Sequence, residues 1–259
     1  MNLRIAAAVL AAVALTGGYG PVSATPFEAS YAVSQSGLPV MDVQLAMQLT
    51  DASYRLVSIS RARGLARLFL PAEQRAEVQG GLAGREVRPL RYMSEGNWRS
   101  GTRRTVVDFL GGQPSLSLQE PPDLDRYPVP PDQMRGTIDS LSAFVRLSLD
   151  AAATGRCDVT GAVFDGRRRL EWSSRTVGMV PSPLPGVTAQ ALRCRLESRL
   201  VAGFRHSDNP AEAGRPREAD AWIAAPGAGL PLMPLRVDFP STLFGAMRLE
   251  LVRVNRSGE

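Results

Sequence analysis

From Thr25 onward the chain is written mostly in short runs that alternate apolar with polar residues, separated by glycine and proline. A period of two sends successive side chains to opposite faces, so such a run buries one face as a strand and cannot settle as a helix. Phe27, Ala29, Tyr31 and Val33 set the pattern. Gly37 and Pro39 then turn the chain into a second arm carrying Val40, Val43, Leu45 and Met47. Further strands are expected at 54–59, 74–78, 89–94 and 102–109, and again at 159–164, 168–173, 191–200, 220–224, 235–238 and 247–254. Asp165-Gly166 falls between two runs as a hairpin turn, with glycine supplying the positive φ.

Other stretches break the pattern. Residues 64–70 read as a short amphipathic helix stopped by Pro71. Gly111-Gly112 is a turn, 121–131 is an extended crossing stiffened by proline, and 206–218 is a polar surface loop. The strongest helix signal follows the crossing: Asp139 can N-cap, and Leu141, Phe144, Val145, Leu147 or Ser148, and Leu149 approximate one apolar face, extended by 151–153 to Gly155. Many short antiparallel strands with one substantial helix predict a mainly β (α+β) fold, a curved antiparallel sheet or open half-barrel wrapping that helix. An all-β sandwich is the alternative.

The N-terminus sets the compartment. Arg4 supplies a positive charge, 5–15 is an unbroken apolar run, and Val22-Ser23-Ala24 presents small residues at the first and third positions. This is the layout of a secretory signal peptide, 1–24, cleaved between Ala24 and Thr25. The expected product is a single β-rich periplasmic domain, 25–259, of a Gram-negative bacterium. No later apolar stretch is long enough to span a membrane. Neither cysteine follows the leader, so no lipid anchor is expected there. In an exported chain the two cysteines, Cys157 and Cys194, read as one structural disulfide.

The formal charge of +5 is carried by arginine alone, since the chain has no lysine. A basic exported protein can meet anionic surfaces, but no nucleic-acid recognition module is visible and none is expected as partner. Groups for catalysis are few. The one histidine, His206, sits beside Ser207-Asp208 in the polar loop and reads as solvated rather than as a triad member. Asp139 and Asp165 are the best carboxylates for glycosidase-type acid–base work, yet capping a helix and shaping a turn explain them fully. Arg167-Arg168-Arg169 matches phosphate or sulfate, although strand alternation would send Arg168 away from its neighbours and favours a solvated edge. Trp172 and Trp222 either line a ligand groove or fill a core poor in aromatics. No metal site and no cofactor is expected.

A scattered series carries a resemblance: Phe27-x-x-x-Tyr31, Gly37, Tyr54, Arg61-x-x-Gly64, then Gly136-Thr137-Ile138-Asp139-Ser140-Leu141-Ser142 and Phe164-Asp165-Gly166-Arg167-Arg168. Cys194, Gly203, Trp222, Pro234-x-Arg236 and Phe244-Gly245 complete it. Together they resemble an exported proteobacterial family of unknown function, distantly similar to periplasmic lipoprotein-localisation carriers. Asp139-Ser140-Leu141-Ser142 stands where such proteins usually read Asp-Pro-Leu-Ser, and serine equally suits a first helical turn. The resemblance implies a half-barrel sheltering an acyl chain against a helix. The expected function is therefore non-enzymatic binding or carriage of a lipid-like ligand in the cell envelope. Tyr31, Leu56, Leu141, Phe144, Val145 and Trp222 are the cavity candidates. A structural or envelope-protein-binding module with a filled core is the alternative, and a carboxylate hydrolase a more distant one.

Overall fold

The computed structural model describes residues 26–242 and 245–256. The signal peptide, its cleavage site at Ala24 and Thr25, and Phe244 lie outside the described residues. The first seven strands are β1 (Phe27–Gln35), β2 (Leu38–Leu49), β3 (Ser53–Ala62), β4 (Glu73–Ala83), β5 (Glu86–Trp98), β6 (Gly101–Leu110) and β7 (Gln113–Glu120). Two helices follow, α1 (Pro131–Met134) and α2 (Ser140–Thr154). Then come β8 (Val159–Phe164), β9 (Arg169–Pro181), β10 (Gln190–Ala202), the short α3 (Pro210–Ala213), β11 (Arg217–Ala224), β12 (Met233–Thr242) and β13 (Gly245–Arg256).

All thirteen strands form one antiparallel sheet in the order β7-β6-β5-β4-β3-β2-β1-β13-β12-β11-β10-β9-β8. The chain thus starts mid-sheet, winds outward to β7, crosses through α2, and winds back from β8 to close on β1. The expected alternation is plain in β1, where Phe27, Ala29, Tyr31 and Val33 are buried. The structure corrects the half-barrel: the sheet curls into a nearly closed barrel. Gln119 of β7 donates to the Gly166 carbonyl of the β8–β9 turn at 3.3 Å, drawing the two sheet edges together. Ile138 also pairs with the free edge of β8, its N–H donating to Ala162 at 3.1 Å and its carbonyl accepting from Phe164 at 2.9 Å. An otherwise open edge is thereby covered.

Helix α2 is capped as its sequence requires. Asp139 accepts from the Leu141 and Ser142 amides at 3.0 and 2.9 Å, and Gly155 ends the helix in the left-handed region. It packs on β4, β5 and β8. Val145 joins the larger apolar cluster, while Leu147 and Ala151 join a smaller one with Cys157 and Cys194. Ser148 donates to the Leu232 carbonyl at 2.6 Å, and Arg85 of the β4–β5 turn pairs with Asp150 at 2.8 Å. Cys157 and Cys194 are joined as a disulfide, Cα to Cα 6.2 Å. Among the described residues no helix is long and apolar enough to cross a membrane.

Three local expectations are corrected. The segment at 64–70 is a 3-10 turn (Gly64–Leu68) with no buried residue, and Leu65 and Phe69 face solvent. An amphipathic helix needs a core to face, and five residues at the barrel's end have none. β7 was not expected: as the terminal strand it buries only Pro114, so its sequence carries little alternation. The polar loop at 206–218 holds α3, N-capped by Asn209, and β11 starts inside its C-terminal end.

Candidate functional site

Antiparallel pairing brings every second connection to the same end of the barrel. The β5–β6 turn, the crossing at 121–130, the β8–β9 turn and the β10–β11 loop gather there around a polar cavity of about 280 Å³. Its walls are Ser94 and Trp98 of β5, Arg103 and Thr105 of β6, Asp123, Asp125 and Arg126 of the crossing, Asp165, Arg167 and Arg168 of the turn, and Arg205.

Each wall has a local cause. Asp165 accepts from the Arg167 and Arg168 amides at 2.9 and 2.8 Å and from the Arg168 guanidinium at 3.0 and 2.8 Å, with Gly166 at φ +88°. The arginine pair therefore belongs to a turn, and only Arg169 to a strand. This corrects the expectation that alternation would separate Arg168 from Arg167: both line the cavity. Gly203, at φ +82°, lies so close to Arg167 that a Cβ would come 2.1 Å from its carbonyl oxygen. The Gly203 carbonyl accepts from Arg126 at 2.7 Å. The crossing is stitched on by Tyr127 N–H to Phe204 O at 3.0 Å and His206 N–H to Asp125 O at 2.9 Å.

The charges are unevenly committed. Asp123, with a side chain 10% exposed, sits 3.2 Å from Arg167 and 3.6 Å from Arg126. Burial first, then the like charges of Arg168 and Arg205, hold the Arg126 pKa below its ordinary value. Arg103 and Arg205 make no ion pair among the described residues; Arg103 lies over the Trp98 ring at 5.2 Å. Elsewhere on the sheet arginines are spent in cross-strand pairs such as Arg61–Glu73, Arg104–Glu95 and Arg199–Glu171. Five arginines against three aspartates leave this cavity with surplus positive charge.

The other carboxylate of interest is sealed inside. Asp139 has no exposed surface; besides the two amides it accepts from the Ser142 hydroxyl, which lies 2.6 Å from the Tyr54 hydroxyl. Burial pushes the Asp139 pKa up. Tyr92 is pushed up to about 12, by burial first and then by the charges of Asp165 and Asp139. His206 is exposed, with its ring edge-on to Tyr127 at 4.4 Å. Among the described residues no group of three or more histidines, cysteines, aspartates or glutamates could hold a metal ion.

The six cavity candidates lie together. Tyr31, Leu56 and Val145 are buried in the larger apolar cluster, and Leu141, Phe144 and Trp222 pack against it. Trp222 is flanked by the Arg193 and Arg236 guanidiniums at 5.4 and 5.2 Å. The polar cavity lies apart from all six. Of its residues, Trp98, Arg103, Asp123, Arg126 and Arg205 were not singled out in the sequence. The one local signal was a cluster of charges, Asp123-x-Asp125-Arg126, inside a proline-bounded crossing.

A family model matches residues 27–252 and is described as a protein of unknown function, DUF3108. The chain belongs to that family. Among solved structures, DUF3108 residues here are similar in fold to a beta-barrel-like protein of domain of unknown function DUF1849 from Brucella abortus. The TM-score is 0.52 at 12% identity, over 92% of this chain and 100% of that one. At that identity the likeness concerns fold alone. No curated protein matches the chain.

Proposed function

We propose that this chain is a non-enzymatic binding module of the cell envelope, acting in the periplasm, which holds a small oxyanion or an oxyanion-bearing ligand at the arginine-lined mouth. The observation that carries this reading is that the guanidiniums of Arg103 and Arg205, which make no ion pair among the described residues, line a cavity whose other arginines are held by Asp123 and Asp165. Guanidinium forks match phosphate, sulfate and carboxylate oxygens and keep their protons at neutral pH, so they bind anions without acid–base chemistry.

Calorimetric titration with inorganic phosphate tests it. The expected result is saturable one-to-one binding, weakened by roughly tenfold or more in Arg103→Gln/Arg205→Gln, because each charge-assisted hydrogen bond contributes about 1.5–3 kcal/mol. Absence of saturable binding, or equal binding by the double variant, contradicts the reading.

A second reading is carriage of a lipid-like ligand in the apolar interior beside Tyr31, Leu56, Leu141, Phe144, Val145 and Trp222. It is favoured by the Tyr31 hydroxyl, which is buried without a hydrogen-bond partner among the described residues. An unsatisfied buried hydroxyl costs about 1–3 kcal/mol, and an ester or carboxyl oxygen of an amphiphile would satisfy it. This reading requires an acyl chain whose retention is indifferent to the mouth charges.

A further inference from the structure

The barrel end that holds the mouth carries large exposed apolar side chains on several separate connections. Leu38 begins β2, just past the β1–β2 turn, and is exposed. The Arg63 N–H donates to the Val40 carbonyl at 2.8 Å, and β2 packs against the 3-10 turn that follows, Gly64–Leu68. Leu65 and Phe69 are 80% and 79% exposed on the 3-10 turn and the residues after it. Across the mouth, Leu124 is 81% exposed on the crossing and Tyr127 is exposed beside it. Trp98 completes the ring at the end of β5. Toward the opposite end Leu110 and Val187 are exposed at connections, and Leu90, Val177 and Met179 are exposed on the flanks of β5 and β9.

Large apolar side chains held in water on several separate turns at one end of the barrel cost free energy that an apolar neighbour recovers. They alternate here with positive charge: Arg99, Arg103 and Arg205 make no ion pair among the described residues and open toward the same end. Leucine, phenylalanine, tyrosine and tryptophan on loop tips, interspersed with arginine, match a bilayer boundary, where apolar tips enter the acyl region and guanidiniums meet lipid phosphates. A strand-edge or helix-groove partner would need a continuous groove or free edge, and these side chains stand singly around a charged opening.

We propose that this rim docks the protein on a membrane surface of anionic phospholipid, with Leu38, Leu65, Phe69 and Leu124 entering the interface and the arginine mouth facing the headgroups. The inference goes beyond phosphate binding at the mouth, since it rests on the apolar tips.

Sedimentation of residues 25–259, free of the apolar leader, with phosphatidylcholine vesicles, with and without phosphatidylglycerol, tests it. The expected result is binding to the phosphatidylglycerol-containing vesicles, with Trp fluorescence shifting to shorter wavelength. Leu65→Ser/Phe69→Ser should weaken that binding by roughly tenfold or more, given the apolar area removed. Both side chains are exposed, so the unfolding midpoint should hold, and Leu110→Ser at the opposite end should bind as the parent does. No binding to either vesicle, or undiminished binding by Leu65→Ser/Phe69→Ser, overturns the proposal. Phosphate titration of the same variant separates the two readings: a chain that takes phosphate at the mouth but ignores vesicles loses the rim and keeps the mouth.

Discussion

Replacing Cys157 and Cys194 together by alanine is expected to lower the unfolding free energy by about 4 kcal/mol. The bridge closes a loop of 37 residues, and the chain-entropy model assigns roughly that stabilisation to a loop of this length. Its position argues for the full effect. Cys157 lies between the end of α2 and β8, and Cys194 lies in β10, so the bond spans β9 and ties the helix exit to the returning half of the sheet. Both residues are fully buried beside Leu147 and Ala151, and loss of their sulfur atoms also loosens that packing. Urea unfolding of the variant against the oxidised parent reads the difference directly. A change below about 1 kcal/mol would place the bond outside the stability of the fold.

Asp139→Ala should cost about 3 kcal/mol. The substitution removes an N-cap, worth about 0.5–2 kcal/mol, and strands a buried Ser142 hydroxyl that has only Tyr54 left. Asp139→Asn keeps an oxygen for the Leu141 and Ser142 amides and should cost less. The pair also reports pH dependence. Burial raises the folded-state pKa of Asp139, so the folded chain holds this proton more tightly than the unfolded chain does. The contribution of this group is therefore most favourable below the unfolded carboxyl pKa of about 4 and declines as pH rises through the folded value. Asparagine lacks that decline. Relative to the parent, Asp139→Asn should gain stability between acid and neutral pH, measured by urea unfolding at both. A difference that is constant with pH, or of opposite sign, would mean that the carboxylate is better solvated than its burial implies.

What the sequence made legible follows from how local each signal is. β1 and β2 were readable because one face is buried and Phe27, Ala29, Tyr31 and Val33 occupy it in step. Helix α2 was readable from its cap, its apolar spacing and Gly155. The disulfide was readable because two cysteines behind a leader that reads as an export signal have one way to pair. β7 was not, since a terminal strand of sequence QPSLSLQE has little to bury. Closure of the barrel was not, because it depends on contacts such as Gln119 to Gly166 between distant segments. The mouth was hidden for the same reason. Arg103, Arg126, Arg167 and Arg205 come from four separate stretches, and only the fold distinguishes them from arginines spent in cross-strand pairs. In the sequence Gly203 is one member of a scattered series, and its use, a close approach to Arg167, is visible only in three dimensions.

Native mass spectrometry of protein purified from the envelope fraction tests most directly where the ligand is held. A small phosphate- or sulfate-bearing adduct is expected on the parent and should be lost from Arg103→Gln/Arg205→Gln. An acyl-chain lipid retained equally by parent and double variant would contradict it, and would move the binding site into the apolar interior around Tyr31.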